Sequence, residues 1–576
     1  MNFLEVISKV EKMVSEGQSP ESVAQKYIDW LETNGNQEQS SPIWFNLGVI
    51  YSGLGMKDKS AECYQNAINQ NKTLWQAIIN LGHYYESTEQ VNKAIELYDG
   101  VLSIEYPIEG KTSIRNQLGR LFELNRQFKK ASQTYEDSLS LNPDQKDTYQ
   151  HWFFLKQKQC IWPLSTFPKP VTYPELANRL GTIASMAYFD DPAMINITVS
   201  EWINRYREGK TYEPLTNLNT KYNHSKIRIG YVSCDFRMHA VCFLSAQIYE
   251  LHDREKFEVF AYDFSKIENT KWRQRIIDGV DHFVSIHEMK DDETAKLIQS
   301  HEIDILIDMV GLTSGARPGI FMYKPAPIQI SYLGFLGPVG IKEIDYLLCD
   351  EYVVPEKFAH DYGAKPLYVP FYQVNNQLRE SSQKPSRASQ GLPENAFVYC
   401  VINNSYKITQ EVFSRWMDIL KKTDNTILWL LEENESVREN LILEANRLGV
   451  SVARLVFASP VAPEDYLARF QCADLFLDTS PYNAGITASD ALWMNLPVLT
   501  CPGNTFTSRM AADLLMQLDL NELVCNSWPE YERKAISYSQ NQDLKNLMLT
   551  KNIRDSHVFD SKLFVKNFEK NLIDCI

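Results

Sequence analysis

Two side chains that could carry group-transfer chemistry each follow an apolar, β-branched run. His239 comes soon after residues 227–232, and Lys407 comes soon after residues 397–402. An imidazole with an ordinary pKa of about 6.5 can accept a hydroxyl proton. The compact ammonium group of lysine suits the charge of a diphosphate leaving group. Each residue taken alone would more often be structural, so the hypothesis needs both of them in one cleft.

Two glycine-containing stretches add candidates for backbone contacts to a ligand. Residues 478–490 are predicted to form a strand end, a turn of small residues and a helix start, whose N–H groups would bind phosphate oxygens. Within this stretch Thr487 and Asp490 have the spacing of a capping box, with Asp in place of the preferred Glu. Residues 334–340 also follow a strand, and they form either an acceptor-side loop or a tight turn without a ligand. The candidates there are Gly334, Gly337 and Pro338.

The elements that must position these residues alternate between strands and helices. Short apolar runs suited to buried parallel strands recur from residue 227 onward. They cover residues 227–232, 257–262, 303–309, 328–333, 344–349, 397–402, 426–431, 455–458, 474–478 and 497–500. The alternation predicts two Rossmann-like α/β domains in tandem, with ligands beyond the carboxyl ends of their strands.

A polar stretch separates the two sets of strands. We expect residues 374–394 to contain a loose linker, with an N-terminal lobe over 225–380 and a C-terminal lobe over 390–560. A final helix over 561–576 would pack back across both lobes. Before the first strand, the prolines of residues 149–224 interrupt helical stretches, which predicts a helical connector without chemistry of its own.

An internal repeat organises the first quarter of the chain. Three Leu-Gly pairs are each followed by an aromatic residue, a small residue and a tyrosine at matched offsets. The first two copies are about 34 residues apart, as in tetratricopeptide repeats. This pattern predicts an α-helical solenoid over residues 1–148, capped by an additional helix pair over 3–33, and such an array would bind peptides or dock partners. The repeated residues are Leu47, Gly48, Tyr51, Ser60 and Tyr64, then Leu81, Gly82, Tyr85, Ala94 and Tyr98, then Leu118, Gly119, Phe122, Ala131 and Tyr135.

Composition narrows the class of protein. A chain of 576 residues is long enough for several domains, and a net charge of −15 argues against non-specific nucleic-acid binding. The 10 cysteines form no CxxC pair and no cluster with histidine at zinc spacing, so we expect reduced thiols and no metal site. With no signal-peptide pattern and no apolar run of about 20 residues, we expect a cytoplasmic protein without a membrane span.

Together these motifs resemble the O-GlcNAc transferase/SPINDLY family of glycosyltransferases, and its bacterial members most. The likeness covers nearly everything except the connector, and residues 490–500 are its most specific part. The resemblance implies a multidomain chain in which an α-helical tetratricopeptide solenoid is followed by a GT-B unit of two Rossmann-like α/β domains. The segments that carry it are residues 229–244, 304–350, 399–408, 457–463 and 474–509.

The resemblance also implies roles for individual residues. His239 matches an active-site histidine near the acceptor, once favoured as the general base, and Lys407 matches the lysine that neutralises the departing diphosphate. In the donor site Ala462 matches a backbone contact to the nucleobase, while Thr487 and Asp490 match contacts to phosphate and ribose.

Several donor-site positions depart from the family pattern. Asn404 stands where the family has a glutamine. Gly485 and Ile486 replace the His-Thr that precedes Thr487, so that an imidazole and a hydroxyl are missing. Tyr466 stands near the position of a base-stacking histidine, and the lysine shortly before it is absent, although an aromatic ring can still stack on uracil. These differences leave the identities of the base and the sugar open.

The resemblance implies an inverting, metal-independent transferase that needs no resident cofactor. A nucleotide sugar, UDP-GlcNAc or UDP-glucose with GlcNAc favoured, would glycosylate serine or threonine hydroxyls of proteins or peptides that bind through the repeats and the cleft. The alternatives are transfer of glucose or fucose, attack by an asparagine amide, and a repeat scaffold whose catalytic unit has decayed. The transferase hypothesis requires His239 and Lys407 to face each other across the gap between the lobes.

Overall fold

Helices that are neighbours in sequence pack against each other through the first part of the chain. The computed structural model describes residues 2–35, 38–164, 167–168, 170–541 and 543–576. The expected helix pair over 3–33 is present as the first two helices. The helices of this part are α1 (Phe3–Ser15), α2 (Pro20–Asn34), α3 (Ser41–Gly53), α4 (Lys57–Gln70), α5 (Trp75–Ser87), α6 (Val91–Gly100), α7 (Ile108–Leu124), α8 (Phe128–Leu141) and α9 (Lys146–Lys158).

The chain divides into two units at the last of these helices. The first unit is Met1–Leu155 with Thr166–Pro170, and the second is Lys156–Ser165 with Val171–Ile576. The first unit is helical, and the second contains the parallel sheets described below. The predicted end of the repeat region at residue 148 therefore lies within α9.

A glycine in each repeat lets the two helices of that repeat come close together. Gly82 in α5 lies against the ring of Tyr98 in α6, and a Cβ atom added to Gly82 would be 2.0 Å from the Tyr98 hydroxyl oxygen. Tyr98 is fully buried, and its hydroxyl donates to the carbonyl of Ile79 at 3.2 Å. The same contact recurs between Gly48 and Tyr64 and between Gly119 and Tyr135. The matched spacing of glycine and tyrosine in the sequence thus corresponds to one packing contact that is repeated three times.

Seven parallel strands form the first lobe of the second unit. The strands are β1 (Ile227–Ser233), β2 (Phe257–Asp263), β3 (His282–Ser285), β4 (Ile305–Asp308), β5 (Ile328–Ser331), β6 (Tyr346–Cys349) and β7 (Lys365–Tyr368). They are ordered β3-β2-β1-β4-β5-β6-β7. Three connector helices precede this sheet, namely α10 (Tyr173–Ala177), α11 (Thr182–Met186) and α12 (Pro192–Arg207), and its connections contain α13 (Ala240–Leu251), α14 (Lys271–Asp278), α15 (Asp291–Ser300) and α16 (Pro318–Met322).

The sequence prediction missed two strands of this sheet. Both β3 and β7 lie at its edges, and their side chains are exposed or half-buried. A strand at the edge of a sheet has a neighbouring strand on one side only, so its side chains are less buried than those of a central strand. It therefore needs no continuous run of apolar residues. The five strands that the sequence did predict are the central ones.

Five further parallel strands form the second lobe. They are β8 (Phe397–Val401), β9 (Thr426–Leu431), β10 (Leu455–Ala458), β11 (Leu475–Leu477) and β12 (Val498–Leu499). Their order in the sheet is β10-β9-β8-β11-β12. The helices of this part of the chain are α17 (Gln410–Lys421), α18 (Glu435–Arg447), α19 (Pro463–Arg469), α20 (Ile486–Trp493), α21 (Met510–Gln517), α22 (Trp528–Gln540), α23 (Asp543–Leu549) and α24 (Ser561–Asp574).

The segment that joins the two lobes is partly buried, which corrects the expectation of a loose linker over 374–394. In its first part, here named the crossing segment (residues 373–382), Asn375 and Asn376 are fully buried. The Asn375 side chain donates to the carbonyl of Val558 at 3.2 Å. The backbone carbonyl of Asn375 accepts from the Ser561 hydroxyl at 2.7 Å. A polar stretch can be buried when its groups find hydrogen-bond partners, and composition does not reveal such partners.

The C-terminal helix α24 packs on the first lobe. His252, at the end of α13, places Nδ1 at 2.9 Å from Oε1 of Glu569 in α24. The turn before α24 reaches the second lobe, where the ring centroids of Phe559 and Trp493 are 5.1 Å apart. The expected contact with both lobes is therefore divided between the helix and the turn that precedes it.

Replacing Gly82 by alanine should loosen its repeat, because the added methyl group has no room beside Tyr98. We expect Gly82→Ala to lower the free energy of local opening of α5 and α6 by about 1–3 kcal/mol, the usual cost of overpacking. Amide hydrogen exchange of the full chain measures this quantity. Gly53→Ala is the matched control, because a methyl group at Gly53 would meet no atom within 4 Å. Equal losses of protection in the two variants would contradict the packing explanation.

Candidate active site

His239 begins the helix that follows the first strand of the first lobe. Its Nδ1 atom is 3.3 Å from the backbone nitrogen of Val241, a contact that caps the N-terminus of α13. The same Nδ1 is 3.4 Å from Oδ2 of Asp235. The structure thus places this histidine beyond the carboxyl end of β1, where ligands of parallel sheets bind.

The two neighbours of the His239 ring require opposite tautomers. Nδ1 accepts a hydrogen bond from Val241 only without a proton, and Nε2 then carries the proton. Nδ1 donates to Asp235 only with a proton, and Nε2 is then a free base. Burial lowers the pKa of His239, the Asp235 carboxylate opposes that shift and the Arg237 guanidinium adds to it. Burial therefore favours the neutral imidazole. Of its two tautomers, the contact with Asp235 favours the one whose Nε2 could accept a proton, and the hydrogen bond from Val241 favours the other.

A loop from the neighbouring strand contacts the amine of Lys407, which is half-buried. This lysine ends a 3₁₀ turn after β8, and parallel pairing of β8 with β11 brings the loops that follow both strands together. The Lys407 Nζ atom donates to the carbonyl of Asn483 at 2.9 Å and lies 4.0 Å from the ring centroid of Tyr482. Burial lowers the pKa of Lys407 to about 8, and the Asp478 carboxylate opposes this shift.

Asp478 shapes the loop that holds Lys407. Its Oδ1 accepts from the backbone nitrogens of Thr479 at 2.8 Å and Ala484 at 2.7 Å. Its Oδ2 accepts from the Thr500 hydroxyl at 2.7 Å. These bonds fold residues 479–484 back over the end of β11, so that a carbonyl of the loop meets the lysine.

The helix after this loop starts earlier than the sequence spacing predicted. Helix α20 begins at Ile486, with Gly485 as its N-cap and no side-chain capping hydrogen bond. Thr487 therefore lies inside the first turn, and the prediction that Thr487 and Asp490 form a capping box is wrong. Gly485 has no side chain with which to cap the helix. None of the described residues accepts a hydrogen bond from the N–H groups of residues 486–488, so this helix start can bind an anion.

Further candidates come together along one side of α20. Burial raises the pKa of the Tyr466 hydroxyl, and the neighbouring Thr487 side chain opposes that shift. Ala462 is exposed at the start of α19, and its carbonyl accepts from the backbone nitrogen of Tyr466 at 2.8 Å. Asp490 lies 2.5 Å from a guanidinium nitrogen of Arg379 in the crossing segment. The sequence offered no signal for Arg379, since it is a single arginine in a polar stretch.

The remaining candidates are one backbone neighbour of Lys407 and a loop with two packed glycines. The Asn404 carbonyl accepts from the Lys407 backbone nitrogen at 3.1 Å. Asn404 is exposed just before the turn that ends at Lys407. A Cβ atom on Gly334 would be 2.0 Å from the Met309 carbonyl oxygen, and one on Gly337 would be 2.9 Å from the Met186 sulfur. Pro338 is buried beside them. Packing within the protein thus explains both glycines, and an acceptor-side role for Gly334, Gly337 and Pro338 stays a prediction.

The two lobes meet beside these clusters. The Arg509 Nε atom of the second lobe donates to the carbonyl of Tyr352 at 2.6 Å, and the Phe506 backbone nitrogen donates to the Tyr362 hydroxyl at 2.8 Å. The contacts described above for His239 lie in the first lobe and those for Lys407 in the second. Their meeting across the cleft stays a prediction.

The fold is a tetratricopeptide solenoid followed by a GT-B unit of two parallel α/β lobes, as the sequence predicted. Family models agree with this class. The model of glycosyl transferase family 41 matches residues 210–377 and 373–569, and a tetratricopeptide-repeat model matches residues 41–73 and 112–145. The chain belongs to glycosyl transferase family 41.

Curated relatives carry names of one activity. The chain is 37% identical over 358 residues to the probable UDP-N-acetylglucosamine–peptide N-acetylglucosaminyltransferase SEC of Arabidopsis thaliana, a match that covers 60% of this chain and 36% of that protein. It is 26% identical over 435 residues to the UDP-N-acetylglucosamine–peptide N-acetylglucosaminyltransferase of Caenorhabditis elegans, covering 56% of this chain and 38% of that one. The chain thus spans less than half the length of these relatives.

A solved structure shows the same fold over the whole chain. A mutant O-GlcNAc transferase from Thermobaculum terrenum superposes with a TM-score of 0.63 at 21% identity, covering 100% of this chain and 97% of that one. Among the residues that the structure describes, no helix is both long enough and apolar enough to cross a membrane. Within the same residues, no group of three or more His, Cys, Asp or Glu side chains is arranged to hold a metal ion.

The lowered pKa of Lys407 predicts that anion binding weakens in mildly alkaline solution. Below pH 8 the amine is protonated and attracts a diphosphate, and above it the charge is lost. We expect the Kd of UDP, whose phosphates have their last pKa at about 6, to rise by up to about tenfold between pH 7 and pH 9. Calorimetric titration measures the change. The Lys407→Met variant should bind UDP weakly, with a Kd that does not change between pH 7 and pH 9. A Kd of the unaltered protein that stays constant over this range would contradict the role given to Lys407.

Proposed function

We propose that this chain is an inverting protein glycosyltransferase. It moves a sugar, GlcNAc favoured, from a nucleoside diphosphate to serine or threonine hydroxyls. The observation that carries the proposal is the position of the Lys407 amine, whose partner Asn483 lies three residues before the open helix start at Ile486. A cation and unpaired backbone N–H groups at the carboxyl ends of parallel strands suit a diphosphate. Membership of family 41 and the names of the relatives support this reading.

The proposed reaction is a single displacement. The acceptor hydroxyl oxygen attacks the anomeric carbon from the face opposite the nucleotide. The new C–O bond forms while the bond to the diphosphate oxygen breaks, so the configuration inverts and the bonding electrons leave with the diphosphate. Lys407 and the N–H groups of residues 486–488 stabilise the added negative charge. A preorganised donor of this kind contributes about 3–4 kcal/mol to the transition state.

His239 is the proposed partner of the acceptor hydroxyl. It can receive the acceptor proton only when Nδ1 donates to Asp235, because Nε2 is then unprotonated. In the other tautomer Nε2 donates a hydrogen bond and orients the substrate, and the proton leaves through water or the departing phosphate. Both roles use the position of the ring beyond β1, so the location of His239 is common to them.

The donor would lie along the second lobe. The base would contact the backbone of Ala462 and the ring of Tyr466, the ribose would contact Asp490, and the diphosphate would lie between Lys407 and Thr487. Asn404 and the stretch Gly485 and Ile486 would complete the wall of this pocket. In this proposal residues 390–560 bind the donor, residues 225–380 carry the acceptor-side histidine, and the repeats in residues 1–148 hold the acceptor protein. The connector 149–224 and the final helix 561–576 support the two lobes.

Loss of the Lys407 charge should slow sugar transfer without unfolding the protein. We expect Lys407→Ala to lower kcat by about a hundredfold or more, the kinetic equivalent of losing one donor to the leaving group. Initial rates with UDP-GlcNAc and a mixed protein acceptor measure this effect. Lys421→Ala, which removes an exposed lysine of α17, is the control and should keep the full rate. Normal turnover by Lys407→Ala would exclude the proposed role.

A panel of donors tests the sugar and the base. We expect UDP-GlcNAc to be consumed faster than UDP-glucose and GDP-fucose, because the relatives are named for UDP-N-acetylglucosamine. Release of free nucleoside diphosphate reports turnover, and mass spectrometry of the acceptor reports the linked residue. Preference for GDP-fucose or UDP-glucose, or a sugar on asparagine, would favour the alternatives. Failure to bind any of the three nucleotides would support a decayed scaffold.

A further inference from the structure

Arg379 is a buried arginine at a place where the sequence predicted a loose linker. It belongs to the crossing segment, and its side chain is only 6% exposed. Its guanidinium carbon lies 5.7 Å from the ring centroid of Trp493 and 5.4 Å from that of Phe559. The two rings hold the plane of the guanidinium, so the directions of its N–H groups are set.

The donors of Arg379 reach α20 and the crossing segment at once. Nη1 donates to Oδ1 of Asp490 at 2.5 Å. Nη2 donates to the Ser489 hydroxyl at 3.1 Å and to the side-chain oxygen of Asn375 at 2.8 Å. Nε donates to the carbonyl of Asn376 at 3.2 Å. A single side chain therefore fixes the orientation of the Asp490 carboxylate relative to the crossing segment.

Asp490 keeps one carboxylate oxygen unengaged. Arg379 occupies Oδ1, whereas no hydrogen-bond donor from the described part of the chain reaches Oδ2. The side chain is 12% exposed. It lies about one helical turn after Ile486, the first residue of the helix whose first N–H groups are open. An oriented carboxylate oxygen with no protein donor suits a ligand that brings hydroxyl groups of its own.

Arg379 also favours the charged form of that carboxylate. Burial raises the pKa of Asp490, and the Arg379 guanidinium lowers it. Without the arginine, a buried and unpaired carboxyl group would take up a proton. It would then be a weak acceptor for hydroxyl groups.

We propose that Arg379 is a positioning residue for the donor, which holds the Asp490 carboxylate so that Oδ2 accepts hydrogen bonds from the ribose hydroxyls of the nucleotide. The inference rests on the proposed function, because it takes the nucleotide to lie along α20. It adds that the crossing segment, and not only the second lobe, sets the preference for a ribonucleotide. Hydrogen bonds to a charged acceptor are about twice as strong as neutral ones, so this preference should be measurable.

The test compares UDP with 2′,3′-dideoxy-UDP, which has the same base and diphosphate but lacks the two ribose hydroxyls. We expect the unaltered protein to bind UDP at least about tenfold more tightly than the dideoxy compound in calorimetric titrations. Arg379→Met should reduce that preference to about threefold or less, while its affinity for the dideoxy compound stays close to that of the unaltered protein. Arg379→Lys, which keeps the charge but not the fork, should lie between the two.

Two further variants separate positioning from folding. Asp490→Asn should lose the preference for UDP over the dideoxy compound, as Arg379→Met does. The double variant that combines the two changes should lose no more of this preference than either single variant, because both changes act through one contact. The double variant also leaves no unpaired buried carboxylate. Arg387→Met is the matched control, since Arg387 pairs with Asp474 at 2.7 Å beyond the crossing segment. It should keep the full preference for UDP.

Each result bears on the inference in a different way. If Arg379→Met weakens the binding of UDP and of dideoxy-UDP equally, or keeps the original preference for UDP, then Arg379 has only a structural role and the inference is wrong. If the unaltered protein binds the two compounds equally, Asp490 does not contact the ribose and the inference is wrong, although the proposed transfer can still stand. If the unaltered protein binds neither, the proposed function fails together with the inference.

Discussion

Parallel pairing of β8 with β11 is the constraint on which the candidate site depends. Strands that run in the same direction end at the same edge of a sheet, so the loops after them must lie side by side. Lys407 follows one of these strands and Asn483 follows the other, and the two are joined by a hydrogen bond of 2.9 Å. The two residues are 76 positions apart in the chain, and pairing of the strands brings them together, not any local preference.

Burial of the carboxylates at this edge makes each of them depend on a partner. Asp478 is held by two backbone nitrogens and a hydroxyl, and Asp490 is held by Arg379. A buried carboxylate without such partners would be costly. The same low polarity that imposes this cost strengthens the interaction of Lys407 with an anion. The contacts that stabilise the buried Asp478 and Asp490 therefore also shape the proposed binding site.

The apolar runs in the sequence predicted the central strands of the first lobe, because buried strands need continuous apolar runs. It missed β3 and β7, whose edge positions need none. It also predicted a loose segment at Asn375 and Asn376, which are fully buried. The error has a physical cause: polarity is a property of a residue, whereas a hydrogen-bond partner such as Val558 lies far along the chain.

Taken by itself, the sequence determined the class of fold, the repeat and the positions of His239 and Lys407 at strand ends, because periodicity and spacing are local properties. Only the tertiary structure decided that α20 starts at Ile486, that Asp235 adjoins the His239 ring and that Arg379 grips Asp490. The start of α20 follows from how the preceding loop folds over Asp478. The hydrogen bond between Arg379 and Asp490 joins residues 111 positions apart, so it exists only because the fold packs the crossing segment against α20.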